Sequence, residues 1–383
     1  MGKKKRKADK RYFDYSLLFV TIFIVGFGLI MIYSTSSYTA QMEYGSAEYY
    51  FFKQLQFSVI GFVAMYATYR IDYHIWRKLA PWVFLFSIIL VLALIPFGTT
   101  VNGAKRWIRF AGIGVQPSDV AKFGVIVMVS GAVCSIGTKI KKFRYVILVS
   151  LVTGGVLAGL IYVVSNNMSS AIIIFGIAVV MTFVAYPGYK IYIAIVSVCG
   201  AAFAALYSWL VGMEKSGNMT ESFRLNRIMV WLNPENYASG TGYQTVQALY
   251  AIGSGGLFGK GLGKSLQKMG FIPESQNDMI FSIICEELGL FGAICVILVF
   301  TVMLWRLIHV AQNAPDLFGT LLVTGVFAHI AIQVILNIAV VTNFIPNTGV
   351  SLPFISYGGS SSVVLLAEIG LALNVSGKIK LER

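Results

Sequence analysis

Apolar runs long enough to cross a bilayer recur along almost the whole chain, and this decides most of what it can fold into. A membrane span needs about 20 mostly apolar residues. Ten candidate spans are read from hydropathy and charge: residues 13–34, 55–70, 81–97, 118–136, 145–164, 168–186, 189–212, 279–310, 317–344 and 357–376. With 57% of 383 residues hydrophobic and 12% charged, the chain carries more apolar surface than one water-soluble core encloses. The expected fold class is an all-α polytopic membrane protein of ten transmembrane helices, with a large extracytoplasmic loop, residues 213–277, between helices 7 and 8. No fixed-period repeat and no Pro- or Ser-rich linker divides the chain, so residues 13–376 are read as one transmembrane domain between short tails, 1–12 and 377–383.

The net charge of +14 would suit nucleic acid, but its placement suits a membrane better. Seven Lys/Arg lie in the first eleven residues, before the first span, which puts that end in the cytoplasm and favours contact with anionic lipid. No DNA-reading motif accompanies them, and no nucleic-acid partner is expected. Ten spans then place both termini in the cytoplasm, with nineteen of the thirty Lys/Arg on that side, ten outside and Lys122 within a span. The first apolar run exceeds the core of a cleavable signal and reads as a retained signal-anchor. Cys134, Cys199, Cys285 and Cys295 fall inside the spans with no CxxC pair, so no structural disulfide is expected.

The outside cations are concentrated at Lys105, Arg106 and Arg109 in one loop and at six positions in the long loop. Cations kept against the topological bias point to an anionic ligand. Within the long loop SFRLNRIMVWLNP (222–234) reads as a short amphipathic helix with Arg224 and Arg227 three apart, Trp231 as an interfacial anchor and Pro234 as its end. A second short helix is expected around residues 243–252. Glycine-rich chain with Lys260, Lys264 and Lys268 follows and runs to Asp278 at the threshold of the eighth span.

Asp278 admits two readings. As an N-cap it would be made more acidic by the helix terminus, ionised at neutral pH and a modest base. Beside cations and glycines it would deprotonate a hydroxyl while a phosphate leaving group is held. Asp119 and Lys122, spaced i, i+3 within a span, can neutralise one another, either as a structural ion pair or as part of a polar cavity. Pro117 and Ser118 give a helix start. Glu286 and Glu287 lie about 12 Å deeper than Asp278 at 1.5 Å per residue, too far for a direct acid/base pair, and read as polar network residues. His329, Gln333 and Asn337 form an i, i+4, i+8 stripe, and Glu368 is a lone acid in the last span; such groups commonly bond neighbouring helices. The P-loop pattern fails because Phe258 stands where the first glycine is needed. His74, His309 and His329 are scattered, there is no HExxH, and no protein-bound metal or cofactor is expected.

NGAKRWI (102–108), QPSDVAK (116–122), GYQTVQALYAIGSGGLFGKGLG (242–263), NDMIFSIICEELG (277–289) and PNTGVSLPFISYGGSS (346–361) together resemble the SEDS family of shape, elongation, division and sporulation proteins over nearly the whole chain. The resemblance implies a peptidoglycan glycosyltransferase that polymerises lipid II at the outer face of the bacterial cytoplasmic membrane. It implies Asp278 as the carboxylate that takes the proton from the acceptor hydroxyl, in one inverting displacement from an α donor to a β product. Lys105, Arg106, Arg224, Arg227 and Lys268 are then candidates to hold the diphosphate, and a divalent cation bridging that diphosphate is compatible with the chemistry. Asp119 with Lys122 matches the family's intramembrane acid and lysine.

Three departures stand out. Asp119 replaces the usual Glu and is one methylene shorter, which predicts a looser ion pair. SQND (275–278) lacks the histidine that commonly precedes the acid. Asn167 stands where an acid is common. The resemblance also implies a class B penicillin-binding protein transpeptidase as partner. A lipid II flippase, motivated by Asp119 and Lys122, and a non-catalytic scaffold for that transpeptidase remain as alternatives. MIYSTSS (31–37) leans toward the division and sporulation branch.

Overall fold

The computed structural model describes residues 12–101, 104–110, 113–188 and 223–380, with isolated positions between 190 and 208. Among the described residues eight helical segments are long and apolar enough to cross a membrane. They are α1 (Tyr15–Tyr44); α3 (His74–Leu92) continued by the short α4 (Leu94–Phe97); α5 (Pro117–Ile136); α6 (Phe143–Val149) and α7 (Val156–Ser165), joined by a π-helical turn at Ser150–Gly155; α8 (Met168–Ala185); α11 (Ile280–Gln312); α12 (Leu317–Val341); and α13 (Gly359–Ser376). The helix α2 (Tyr49–Arg70) has 22 residues and packs along α13, but is less apolar than these eight. The expected seventh span, residues 189–212, falls mostly outside the described residues. Two short helices, α9 (Phe223–Leu232) and α10 (Tyr243–Ser254), occupy the long loop where amphipathic spacing places them, and α9 stops two residues before Pro234.

The expectation of an all-α chain needs one correction. β1 (Gly98–Val101), β2 (Ala104–Phe110) and β3 (Ile113–Val115) form an antiparallel sheet between α4 and α5, with a register shift at Thr99/Thr100. Its signal is visible in retrospect. β-branched and aromatic residues flank Asn102–Gly103, a dipeptide favoured in hairpin turns, but their apolar character reads equally well as the margins of two spans.

Two polar rungs tie α1 to α11. At the end that carries both chain termini, Asp14 caps α1 by accepting from Leu17 N at 2.9 Å and pairs with Arg306 at 2.8 Å. Tyr12 N also donates to Ile379 O at that end. Twenty residues up α1 and nineteen back along α11, Ser34 Oγ donates to Glu287, at 2.7 Å to Oε2. At 1.5 Å per residue the rungs stand about 30 Å apart, the thickness of a bilayer's hydrocarbon core.

Two residues past Glu287 along the chain, between the two rungs, α11 is broken at Gly289 (φ 68°, ψ −169°). A break strands backbone groups that an apolar interior cannot leave bare. The glycine-rich segment after α10 supplies their partners. Leu290 N and Phe291 N donate to Gly256 O and Leu257 O, while Glu286 O and Glu287 O accept from Lys260 N and Gly261 N, all at 2.9–3.0 Å. This approach needs glycine on both sides, because a Cβ on Gly259 would collide with Glu287 O and one on Gly289 with Gly259 N.

Gly289→Ala adds that collision to a backbone region that costs a non-glycine residue about 1–3 kcal/mol. It is expected to lower the thermal midpoint in detergent clearly, whereas Gly26→Ala, with nothing within 4 Å of the added Cβ, leaves it unchanged; equal midpoints would refute the account of the break.

Candidate active site

Asp278 sits in the turn before α11, at the end of the bundle opposite the termini. Three main-chain ties fix this turn. Asn337 Nδ2, from α12, donates to Asp278 O and to Val350 O, each at 2.7 Å. Tyr357 N donates to Gln276 O at 2.9 Å, and Gln244 Nε2, from α10, donates to Pro273 O at 3.2 Å. The turn passes through Glu274 in left-handed conformation (φ 51°), and Asn277 binds that residue through both its backbone and its side chain.

The side chain of Asp278 does not cap α11. Met279 holds the cap position with no side-chain bond, and Asp278 Oδ1 is enclosed without a hydrogen-bond partner. Burial pushes the carboxyl up to about 6, and the nearby charge of Glu274 adds to the shift. Arg227 and the backbone N–H groups of Asp278 and Met279 oppose it only in part. This corrects the expectation of a capping carboxylate made more acidic by the helix terminus. A carboxylate of this kind is still mostly ionised at neutral pH, and it is a stronger base than an ordinary one.

Of the five proposed phosphate-binding cations, Arg227 interacts with this acid and Arg106 interacts with Arg227 and Glu274. Arg227, on α9, donates from Nη1 to Asn347 O at 3.2 Å and interacts with the charges of Arg106 and Asp278. Arg106, on β2, has an enclosed Nε without a hydrogen-bond partner. Desolvation pushes both guanidiniums below their ordinary value, and in Arg227 the Arg106 charge adds to it. The side chain of Arg224 lies outside the described residues. Lys105 is exposed and donates to Ile95 O at 3.2 Å.

Lys268 stands apart from that group. It is buried and bonded to Glu287 at 2.8 Å and to Ser34 Oγ at 3.1 Å, at the upper rung. Lys260 similarly meets Glu286 at 2.6 Å, and Ser265 Oγ also donates to Glu286. The two glutamates read as network residues are thus the partners of two loop lysines. Asp119 and Lys122 are both buried and close at 3.0 Å, with Ser360 Oγ donating to Asp119 at 3.2 Å. The shorter acid does not loosen the pair. His329 meets Glu368 at 2.8 Å, so that acid has a partner on α12. Asn167 caps α8 by accepting from Ser170 N.

Beside Arg227 a pocket of about 140 Å³ is lined by Trp231, Thr241, Gln244, Thr245, Asn343 and Asn347. Sequence spacing gave no signal for it, because its lining residues come from three separated segments. They also hold the pocket's walls together: Asn347 Nδ2 donates to Gln244 Oε1 at 3.1 Å, and Trp231 Nε1 to Asn343 O at 3.0 Å. Gly349, two residues past Asn347, borders Asp278 Oδ2. Among the described residues no group of three or more His, Cys, Asp or Glu is placed to hold a metal.

A bundle of apolar helices carrying a partly buried acid beside an arginine at one end defines a multi-pass membrane protein with a polar site at its rim. The chain belongs to the FtsW/RodA/SpoVE family of cell cycle proteins, whose model matches residues 15–381. It is 37% identical to stage V sporulation protein E of Bacillus subtilis over 372 residues, covering 95% of this chain and 96% of that one. It is 36% identical to a probable peptidoglycan glycosyltransferase FtsW of Trichlorobacter lovleyi, covering 96% and 94%. Among solved structures it is similar to a chain of a peptidoglycan synthase complex that coordinates polymerization and crosslinking, with a TM-score of 0.76 at 22% identity, covering 95% and 97%. It is also similar to the rod shape determining protein RodA of Thermus thermophilus, with a TM-score of 0.67 at 23% identity, covering 97% and 98%.

If Lys268 serves Glu287 and not substrate, Lys268→Met strands a buried carboxylate and costs about 3–5 kcal/mol, read as a lower thermal midpoint. The double variant Lys268→Met/Glu287→Met should recover much of that loss. A single variant with unchanged midpoint but weakened substrate binding would instead make Lys268 a ligand.

Proposed function

We propose that this protein is a peptidoglycan glycosyltransferase that polymerises lipid II into glycan strands, with Asp278 as general base. The observation that carries the assignment of the base is the environment of Asp278. Its carboxyl is raised to about 6 and has one unpartnered oxygen, while its main chain is clamped by Asn337. A base must be both positioned and matched in strength to its operating pH. Asp278 removes the proton from the acceptor sugar's hydroxyl as the donor's anomeric bond to diphosphate breaks. Attack opposite the leaving group converts the α donor to a β linkage in one step.

Arg106 and Arg227 take up the negative charge that develops on the departing diphosphate, Arg224 and Lys105 remain candidates for the same role, and a divalent cation would arrive with the substrate. The amide- and hydroxyl-lined pocket beside Arg227 offers the donors and acceptors that sugar hydroxyls require, within reach of the base. Lys268 is the weakest of the earlier phosphate candidates, since its charge is already matched by Glu287. Asp119 and Lys122 act as a closed pair under the Ser360 turn, which supports a structural role over carriage of a ligand through the membrane.

The ten-span reading is supported by the direction of the chain. α8 begins near the site, where Ser169 bonds Thr348 O, and runs toward the termini, yet α9 is again beside the site. One further crossing between them gives ten with α2 and makes residues 213–277 an extracytoplasmic loop. The basic first eleven residues then place both termini in the cytoplasm and the site at the outer face of the bacterial cytoplasmic membrane. A class B penicillin-binding protein transpeptidase is the expected partner.

Purified protein, alone and with its transpeptidase, should form glycan strands from lipid II on a gel, and Asp278→Asn should abolish them while remaining folded. Strand synthesis retained by Asp278→Asn would remove the base. With the wild type, the rate should fall as pH drops through about 6, because protonation disables the base. Glu274→Gln removes a charge that raises the Asp278 pKa, so this acidic limb should move to lower pH; Arg227→Gln should move it higher. A limb that ignores both substitutions would separate it from Asp278.

A further inference from the structure

The segment of residues 255–271 has an inverted polarity for a loop beyond a membrane span. Lys260 and Lys268 turn inward to Glu286 and Glu287, while Leu257, Phe258, Leu262, Leu266, Met269 and Phe271 are exposed, Phe258 at 80% and Leu257 at 65%. A loop bathed in water would ordinarily present the opposite set.

We propose that this segment is a wedge seated in the bilayer, its apolar side chains resting at the boundary between headgroups and hydrocarbon in the leaflet on the site side. Three observations carry this. The first is level, since Lys268 bonds directly to the upper Ser34–Glu287 rung, one hydrocarbon thickness from the Asp14–Arg306 rung. The second is continuity. Phe291 N donates to Leu257 O, so the wedge adjoins exposed Leu290 and Phe291 and, farther along α11, exposed Ile294 and Leu298, the face the helix turns to lipid.

The third is backbone satisfaction. Irregular chain is excluded from lipid because its polar groups lack partners, yet four of the groups nearest the break are bonded reciprocally with α11. Lys264, exposed at the tip, reaches toward phosphate headgroups from this depth, as lysines at membrane interfaces do. The inference is independent of the reaction assigned above. It replaces the view of these lysines as a free anion-binding surface with that of a hydrophobic foot in which Lys260 and Lys268 are paired to Glu286 and Glu287 and only Lys264 is left exposed.

The test uses full-length protein in lipid nanodiscs, with the four cysteines replaced and single spin labels at Phe258→Cys or Leu262→Cys. Ile294→Cys serves as the lipid-facing reference and Glu235→Cys as the water-facing one, and every variant is first required to keep the parent's thermal midpoint. Collision with oxygen, which partitions into lipid, is compared with collision with a water-soluble nickel chelate. The wedge predicts an oxygen preference at 258 and 262 close to that at 294 and several-fold above that at 235. A nickel preference like that at 235 would place the segment in water, and low accessibility to both reagents would show a protein surface covering it; either result overturns the proposal. Two label sites keep one misfolded variant from deciding the outcome. Strand synthesis by the parent is measured separately, so failure of the wedge and failure of the assigned reaction are distinguishable.

Discussion

The backbone exchange at Gly289 is the constraint on which the site end of the molecule depends. Once α11 opens there, four main-chain groups must find partners inside an apolar environment, and the glycine-rich segment is the element that provides them. Its insertion carries Lys260 and Lys268 into the bundle, where they neutralise Glu286 and Glu287. Removing either side would strand charge as well as backbone. The stretch from Gln276 to Asp278 follows from the end of this inserted segment, so the placement of the acid is inherited from the break.

Around Asp278 the physical balance is between desolvation and positive charge. An arginine and two backbone N–H groups close to a carboxylate would ordinarily make it a weaker base. Burial and Glu274 outweigh them, leaving an acid that is ionised near neutrality and still able to accept a proton. The arginines in turn are partly desolvated, and the charge of Arg106 lowers Arg227 further while Asp278 offsets it in part. On the proposed reaction an incoming hydroxyl would meet the raised carboxyl and a diphosphate the two guanidiniums, a form of electrostatic preorganisation.

Much of the scaffold was legible because apolar runs and flanking charge report membrane crossing locally. Eight of the ten expected spans reappear as apolar helices, and the helix starting at Pro117, the end of α9 before Pro234 and the helix beginning at Tyr243 follow from equally local signals. The hairpin from Gly98 to Val115 was not legible, because its short apolar strands abut spans of the same composition. The role of Lys268 was not legible for a different reason. Its partners, Ser34 and Glu287, are 234 and 19 residues away, and nothing in a loop's composition says whether its lysines face out or in. Motif resemblance located Asp278, but its raised pKa arises from enclosure by α12 and the chain that follows, which no spacing rule conveys.

The paired rungs between α1 and α11 carry a consequence of their own. Helices that meet only through apolar side chains can slide or tilt when the surrounding bilayer is thinner or thicker than their hydrophobic length. Here the Asp14–Arg306 and Ser34–Glu287 contacts pin both ends of an antiparallel pair, so neither helix can shear past the other without breaking charged bonds. Hydrophobic mismatch must then be absorbed by deformation of the lipid annulus or rigid rotation of the whole bundle. The chain therefore acts as a stiff gauge of leaflet height, keeping Asp278 at a set elevation above the hydrocarbon even where membrane composition varies.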